Sequence, residues 1–588
     1  MFDTVIKGGT VVDGTGAVPK PADVAVTDGV IVEVGDVTGP ATRTIDADGM
    51  LVTPGWVDVH THYDGQVTWD DAIEPSASNG VTTVVMGNCG VGFAPVRADD
   101  HEALIDLMEG VEDIPGSALS LGMPWGTWET FAEYLDVLEA RRYAVDVAAQ
   151  VAHGAVRFYA MGERGAANED ATSDDLEAMS KLVEEAMVAG AVGFSTSRTI
   201  GHRARSGRPV PGTFAETDEL LALADALRRA GHGVFEAIVS GTIGKLHSLG
   251  GERAKPIEEI PMLEEVSRSS GRPVTFTTAQ LFEDPDHWRL ILDAAEAANT
   301  RGADLRPQII PRSVTIMTSL DTYHLFMTRP SYRKIKHLPL AERVAEMRRP
   351  EVRRAILADG DGGDEPVDFS EMITKVFTPG LVLTFPLSEP VDYEPTMADS
   401  VYARATAAGI DPVSYMYDLL LEDDGRAFYM LLGSNFVGGN LDACREMLLA
   451  PHTVTGLSDA GAHVNLISDC SASTFHLTHW ARDRTAGERL PVELLVNKLT
   501  GANAALYGFA DRGVLAPGMR ADVNVIDFDA LTIHSPELRY DLPADSSRIL
   551  QAASGYVATL VDGTMTRDHD ADTGERPGRL VRGGRRAA

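Results

Sequence analysis

His60 and His62, one residue apart in GWVDVHTHYDG (residues 55 to 65), follow a short apolar run. Side chains alternate across a strand, so both imidazoles would point one way and Val57 and Val59 the other. Two imidazoles on one face can chelate a single cation, yet an HxH pair alone is common by chance. Its weight comes from company elsewhere in the chain. Asp459 closes the run TVTGLSD (453 to 459) and Cys89 closes VTTVVMGNC (81 to 89). A carboxylate can bind a metal and also move a proton, and a thiolate is a strong zinc donor. The plainer alternatives are a helix cap for Asp459, in SDAG, and a small buried residue for Cys89. Convergence of the three ligand types favours metal or catalytic duty, with Asp459 as general base.

Such ligands meet only if the elements carrying them share one end of a sheet. Eight segments read as strands: 56 to 62, 81 to 89, 145 to 153, 191 to 197, 234 to 240, 273 to 280, 305 to 311 and 453 to 459. Between several of them apolar residues recur at three-and-four spacing, as in Leu176, Met179, Leu182, Val183 and Met187, or in Leu220, Leu223 and Leu227. That is the period of a helix packed on one face. Glycines follow in VAGAVGF and RRAGHGVF, where C-caps fall. Alternating units of this kind predict an α/β fold with a parallel sheet, and eight of them predict a (β/α)8 TIM-type barrel. Reactive groups of such barrels gather at the carboxyl ends of strands, where His60, His62, Cys89 and Asp459 fall.

Residues 1 to 54 instead alternate short β-prone runs with Gly and Asp turns, a texture that returns in RADVNVIDF (520 to 528) and GYVATLVDGTMT (555 to 566). The expected domains are 1–54 and 506–588, together a small β-sandwich, and a barrel over 55–505. A long insertion at about 312–452, after strand seven, carries Tyr323, His324, Tyr332, the loop ADGDGGDEPVD and LLGSNFVGGN. It reads as a pocket lid or a subunit interface.

Composition narrows the function classes. The 588 residues are 44% hydrophobic and 23% charged, an ordinary globular balance. With 51 basic against 87 acidic residues the net charge is −36, which repels phosphate backbones and anionic membranes. No apolar stretch is long enough to span a bilayer, and the start MFDTVIKGGTVVDG lacks the basic head and apolar run of a secretory signal. Cys89, Cys444 and Cys470 make no even disulfide framework and suit a reducing compartment, so a cytoplasmic location is expected. The expected partner is a small-molecule substrate, not nucleic acid or membrane, and a homo-oligomer is left open.

Several stretches together resemble the amidohydrolase superfamily and, within it, the N-acyl-D-amino-acid deacylases, or D-aminoacylases. They are VIKGGTVVDGTG, TPGWVDVHTHYDGQ, GVTTVVMGNCG, HGAVRFYAMG, GLSDAGAH and DRGVLAPGMRADVNVIDFD, spread over nearly the whole chain. The resemblance implies a metal-bearing barrel beside a small β-sandwich of both chain ends. It implies His60 and His62 as first-strand ligands, Cys89 as a ligating or bridging thiolate, Asp459 as ligand and general base, and His153 as a pocket residue. A satisfied core histidine is the alternative for His153.

The departures are as specific as the matches. The family's strand-five and strand-six histidines are absent: strand five reads VFEAIVSG with Glu236, and strand six reads VTFTTAQ with Thr277 and Thr278. The arginine that holds a substrate carboxylate is replaced by HVNLISDCSASTF. Glu236 is a candidate replacement ligand, since oxygen donors also bind zinc, manganese or iron. Arg198, Arg203, Arg205 and Lys245 are candidate anion contacts in loops after strands four and five, and His463 and Asp469 candidate substrate-positioning groups.

The expected activity is metal-activated water cleaving a C–N amide bond of a small molecule, with one or two divalent ions, zinc before manganese or iron. A lyase or isomerase on the same scaffold, and a degenerate binding or assembly protein, are the rivals. A serine hydrolase through Ser458 fails its motif, because Ala460 stands where G-x-S-x-G needs glycine.

Overall fold

The computed structural model describes residues 1–360 and 369–584, so most of the expected loop ADGDGGDEPVD lies outside the described residues. Eight parallel strands run in chain order. They are β1 (Trp56–Asp58), β2 (Val81–Met86), β3 (Asp146–Ala149 and Val151–Ala152), β4 (Gly193–Ser197), β5 (Val234–Ile238), β6 (Val274–Thr277), β7 (Leu305–Ile309) and β8 (Val454–Thr455).

Each pairs with the next, as in Asp58 with Val84, Met86 with Ala149, Ala152 with Ser195, Ser197 with Ile238, Ala237 with Phe276, Thr277 with Gln308, and Ile309 with Thr455. The path then returns to its start: Thr61 bridges Ala460 in parallel, and the His62 N–H donates to Ala460 O at 2.8 Å. β2, β4, β5 and β6 are buried at every residue, which explains their apolar and small-residue runs, broken only by Glu236 in β5. All eight expected segments contain these strands, but the pairing stops earlier than the sequence suggests. His60 and His62 therefore sit just past the end of β1.

Helices fill the connections where the spacing places them. The helix Ser173–Ala189 starts in a Thr172–Asp175 capping box, ends at Gly190 with φ +119°, and buries Met179, Val183 and Met187. The helix Thr217–Ala230 buries Leu220, Leu223 and Leu227 and ends at Gly231. Both chain ends share one nine-stranded sheet, in which Leu51–Pro54 pairs antiparallel with Val523–Ile526, Val52 opposite Val525. Ile6, Val24, Val26, Ile31, Val523, Val525 and Leu560 close its core. Among the described residues no helix is long and apolar enough to cross a membrane.

Between β7 and β8 the chain builds a separate antiparallel sheet from Thr315–Thr318, Thr384–Pro386 and Tyr429–Leu432, with helices packed around Phe326, Tyr332, Met347 and Tyr417. His324 and Tyr332 bond each other at 2.9 Å inside this unit, so they serve its packing. Tyr323 instead reaches out, donating to Asp113 Oδ1 at 2.7 Å.

A buried ion pair fastens the unit down. Glu394 accepts from Arg484 at 3.0 and 3.1 Å and from the Leu441 N–H at 2.8 Å, with His479 at 3.1 Å. Burial by itself raises the Glu394 pKa, but His479, Arg484 and the Leu441 amide outweigh it and hold the carboxyl at about 2. The lowered pKa makes this contribution present above the unfolded value near 4.5 and lost as pH falls through about 2. Glu394→Gln is therefore expected to cost roughly 3 kcal/mol at pH 7. In urea melts the gap from the parent should narrow from pH 5 to pH 3, and a gap independent of pH would refute the carboxylate as its source.

Candidate metal centre

The ends of β1, β2 and β8 bring four donor side chains to one point. His60 Nε2 lies 3.3 Å from Cys89 Sγ, and His62 Nε2 lies 3.8 Å from the same sulfur. Asp459 Oδ1 stands 3.5 Å from His60 Nε2 and 3.9 Å from His62 Nε2. Donor atoms of His60, His62 and Cys89 all fall within 4.8 Å of one another. The two imidazoles are edge-on, with centroids 5.3 Å apart.

The backbone is bent to achieve this. Cys89 (φ +56°) and Asp459 (φ +48°) both adopt left-handed conformations, each costing about 1–2 kcal/mol for a residue with a Cβ. Local bonds hold the first bend: Asn88 Nδ2 donates to Thr61 O and Val85 O at 3.1 and 3.0 Å, tying the turn after β2 to the end of β1. Gly90 follows at φ +70°, where a Cβ would stand 2.8 Å from the Ser197 nitrogen. Only glycine lets the cysteine turn approach the end of β4 so closely.

A second set of groups aims the donors. His60 Nδ1 is 2.6 Å from Gln308 Oε1, an amide oxygen that can only accept, so Nδ1 carries the proton and the Nε2 lone pair faces the cluster. Glu236 Oε2 accepts from the Cys89 N–H at 3.2 Å, while its buried Oε1 has no hydrogen-bond partner among the described residues.

Burial is the main cause of every shift in this cluster. It pushes the His60 pKa down to about 3 and His62 well below its ordinary value, keeping both imidazoles neutral. It pushes Asp459 up to about 8, reinforced by Asp469 and Asp58, and Glu236 up to about 8 despite the Cys89 amide. Cys89 rises well above a free thiol, first by burial and then by the surrounding acids. A divalent cation inverts these preferences, since it favours ionised carboxylate and thiolate and needs neutral imidazole. Two aimed Nε2 atoms, a sulfur and a carboxylate fit such an ion, and the mixed soft and hard donors suit zinc.

The remaining expected site residues scatter. His463 joins the edge of the cluster, its side chain 17% exposed and Nε2 3.6 Å from Glu112 Oε2. The expected pocket role of His153 gives way to the core alternative: its nitrogens are taken by Thr196 Oγ1 and Glu219 Oε1, both at 2.9 Å, and it is fully buried. Arg198 is likewise committed, to Glu259 and to Ala215 O, so it is no free anion contact. Arg203 donates to three carbonyls and Arg205 to Glu109. Lys245 is exposed on its loop. Asp469 is locked to Arg312 at 3.2 Å with neither side chain exposed. Ser458 donates to Asp58 Oδ2 at 2.5 Å, a structural bond with no histidine base.

Three contributors escape sequence reasoning. Gln308 is a polar residue at a strand end, a pattern that could have drawn notice. Glu112 ends a helix among other acids, and His202, close enough to help disfavour protonation of His60 and His62, sits in an irregular loop with Nδ1 3.0 Å from Ser197 Oγ. Neither carries a local signal.

A family model described as "Amidohydrolase family" matches residues 43–567. A D-aminoacylase of Alcaligenes xylosoxydans xylosoxydans is 26% identical over 586 residues, spanning 99% of this chain and 97% of its own. Two solved structures superpose over 99% of the chain. One, from work on the binuclear metal center of D-aminoacylase, has TM-score 0.64, 24% identity and 100% of its own length covered. The other, an N-acyl-D-glutamate deacylase of Bordetella bronchiseptica complexed with zinc and a phosphonate inhibitor, has TM-score 0.62, 23% identity and 99% of its length covered. At these identities the structural likeness is one of fold.

Proposed function

The chain belongs to the amidohydrolase family, and from that premise we propose that it hydrolyses the C–N amide bond of a small molecule with the help of a divalent cation. The observation that carries this reading is the meeting of His60, His62, Cys89 and Asp459 at the ends of three strands. The return of the strand path from β8 to β1 supports a closed (β/α)8 barrel over about 55–505, with an insertion near 312–452. The shared sheet of both chain ends supports the accompanying β-sandwich of 1–54 and 506–588.

When bound, a divalent cation supplies Lewis acidity, polarising a carbonyl and acidifying water to a pKa near 7. His60 and His62 would hold it through Nε2, with Cys89 and Asp459 completing the set and Glu236 Oε1 within the same buried neighbourhood. Asp459 is the donor that also meets solvent, with 17% of its side chain exposed. Its carboxylate can accept the proton of attacking water and return it to the departing nitrogen. The donors converge on one place, which suits one divalent ion or two that share ligands.

Substrate assignment follows the relatives only as far as the amide bond. The relatives are named D-aminoacylase and N-acyl-D-glutamate deacylase, whereas here Arg198 and Arg203 are already paired with acceptors of the chain itself. The direct test is turnover of N-acyl-D-amino acids and of uncharged amides by zinc-loaded protein in heavy-oxygen water. Hydrolysis places the label in the carboxylic acid product. Product formed without label would replace this reading with a lyase.

A further inference from the structure

We infer that Glu112 is a positioning residue of the metal centre, a carboxylate shared by two imidazoles. It ends the helix His101–Glu112, and its side chain is 1% exposed. Glu112 Oε1 stands 3.4 Å from His62 Nδ1, and neither atom has a hydrogen-bond partner among the described residues. Glu112 Oε2 stands 3.6 Å from His463 Nε2. The ion pairs found for Glu112 are these two histidines, with no arginine or lysine among them.

A carboxylate so deeply buried needs donors, and the two rings are the donors that face it. With the proton on Nδ1 directed at Glu112, the Nε2 lone pair of His62 turns toward Cys89 and Asp459. Gln308 does the same for His60 with a neutral amide. A carboxylate behind a ligating imidazole fixes its tautomer and raises its basicity, so Glu112 strengthens the weaker-held ring of the pair.

The backbone around Glu112 is pinned in place. Its carbonyl accepts from the His463 N–H, and the next residue, Asp113 at φ +52°, accepts from Tyr323 Oη at 2.7 Å and from the Asn465 N–H at 3.2 Å. The turn therefore joins three parts of the molecule: the helix after β2, the loop beyond β8 and the unit inserted between β7 and β8. The gap of 3.4 Å is about half an ångström longer than a formed N–H···O bond, a closure small enough to accompany ion binding.

This inference rests on the metal reading proposed above, and cobalt binding separates the two. The metal-free parent protein is titrated with Co2+ in competition with a chromogenic chelator, following the visible d–d bands and the thiolate-to-cobalt band. Glu112→Ala is expected to weaken the cobalt constant by about 100-fold and Glu112→Gln, which keeps an acceptor oxygen, by about 10-fold. The thiolate band should persist in both at saturating cobalt, because Cys89 is untouched. Where Glu112→Ala fails to fold, the Gln variant carries the test. Constants equal to the parent's in the folded variants would overturn the role of Glu112. A parent protein that develops no cobalt d–d bands would instead overturn the metal reading itself, and d–d bands without the thiolate band would remove Cys89 from the ligand set.

Discussion

Asp459→Asn is expected to lower kcat by about 10^2 to 10^4-fold while leaving most of the bound metal in place. Asparagine keeps the size of the side chain and an oxygen donor toward His60 and His62, which lie 3.5 and 3.9 Å from Asp459 Oδ1. What it loses is the capacity to accept and return a proton. If Asp459 acts in the transition state, kcat and kcat/KM should fall together with KM nearly constant. The experiment is steady-state kinetics on the substrate found by the labelling screen, with metal content measured on the same preparation. Retained turnover at full metal content would remove Asp459 from proton transfer. Loss of metal in proportion to activity would reduce it to a ligand.

His60→Ala should have a larger effect on metal content than any other single substitution, and should abolish turnover with it. His60 is 0% exposed and touches each of the other elements of the site: Cys89 at 3.3 Å, Asp459 at 3.5 Å and Gln308 at 2.6 Å. Its removal deletes a donor and also strands the Gln308 amide, a further cost of about 1–3 kcal/mol. Chelator treatment of the parent protein should mimic the first effect without the second. Activity is expected to fall to background and return on adding back zinc, with the apparent stability lowered by about 2.7 kcal/mol if the ion was present at 100 times its dissociation constant. Zinc should restore neither activity nor melting temperature to His60→Ala. A chelated protein that keeps its activity would exclude a metal-assisted reaction.

The parts of the site that announced themselves share a property: their chemistry is concentrated in short stretches. His60 and His62 stand two residues apart at a strand end, and Cys89 and Asp459 each close an apolar run followed by glycine or alanine. Glu236 was legible for a related reason, a carboxylate within the fully buried strand Val234–Ile238. Arg198 shows the opposite case. Nothing near it in sequence reveals Glu259, 61 residues away, which occupies its guanidinium. His153 fell between the two, since a histidine at the end of β3 suits either pocket or core, and Glu219 decided for the core.

The sequence by itself determined the alternation of strands and helices, the sharing of one β-sheet by the two chain ends, and which residue types arrive at the carboxyl ends of strands. Side-chain period, glycine caps and unbroken apolar runs act over a few residues, so they can be read locally. Tertiary structure alone decided the partners: Gln308 behind His60, Glu112 behind His62, Glu219 on His153. Those pairings span 248, 50 and 66 residues and follow from strand register and helix placement. Most buried polar atoms take their partner wherever the packed chain presents one.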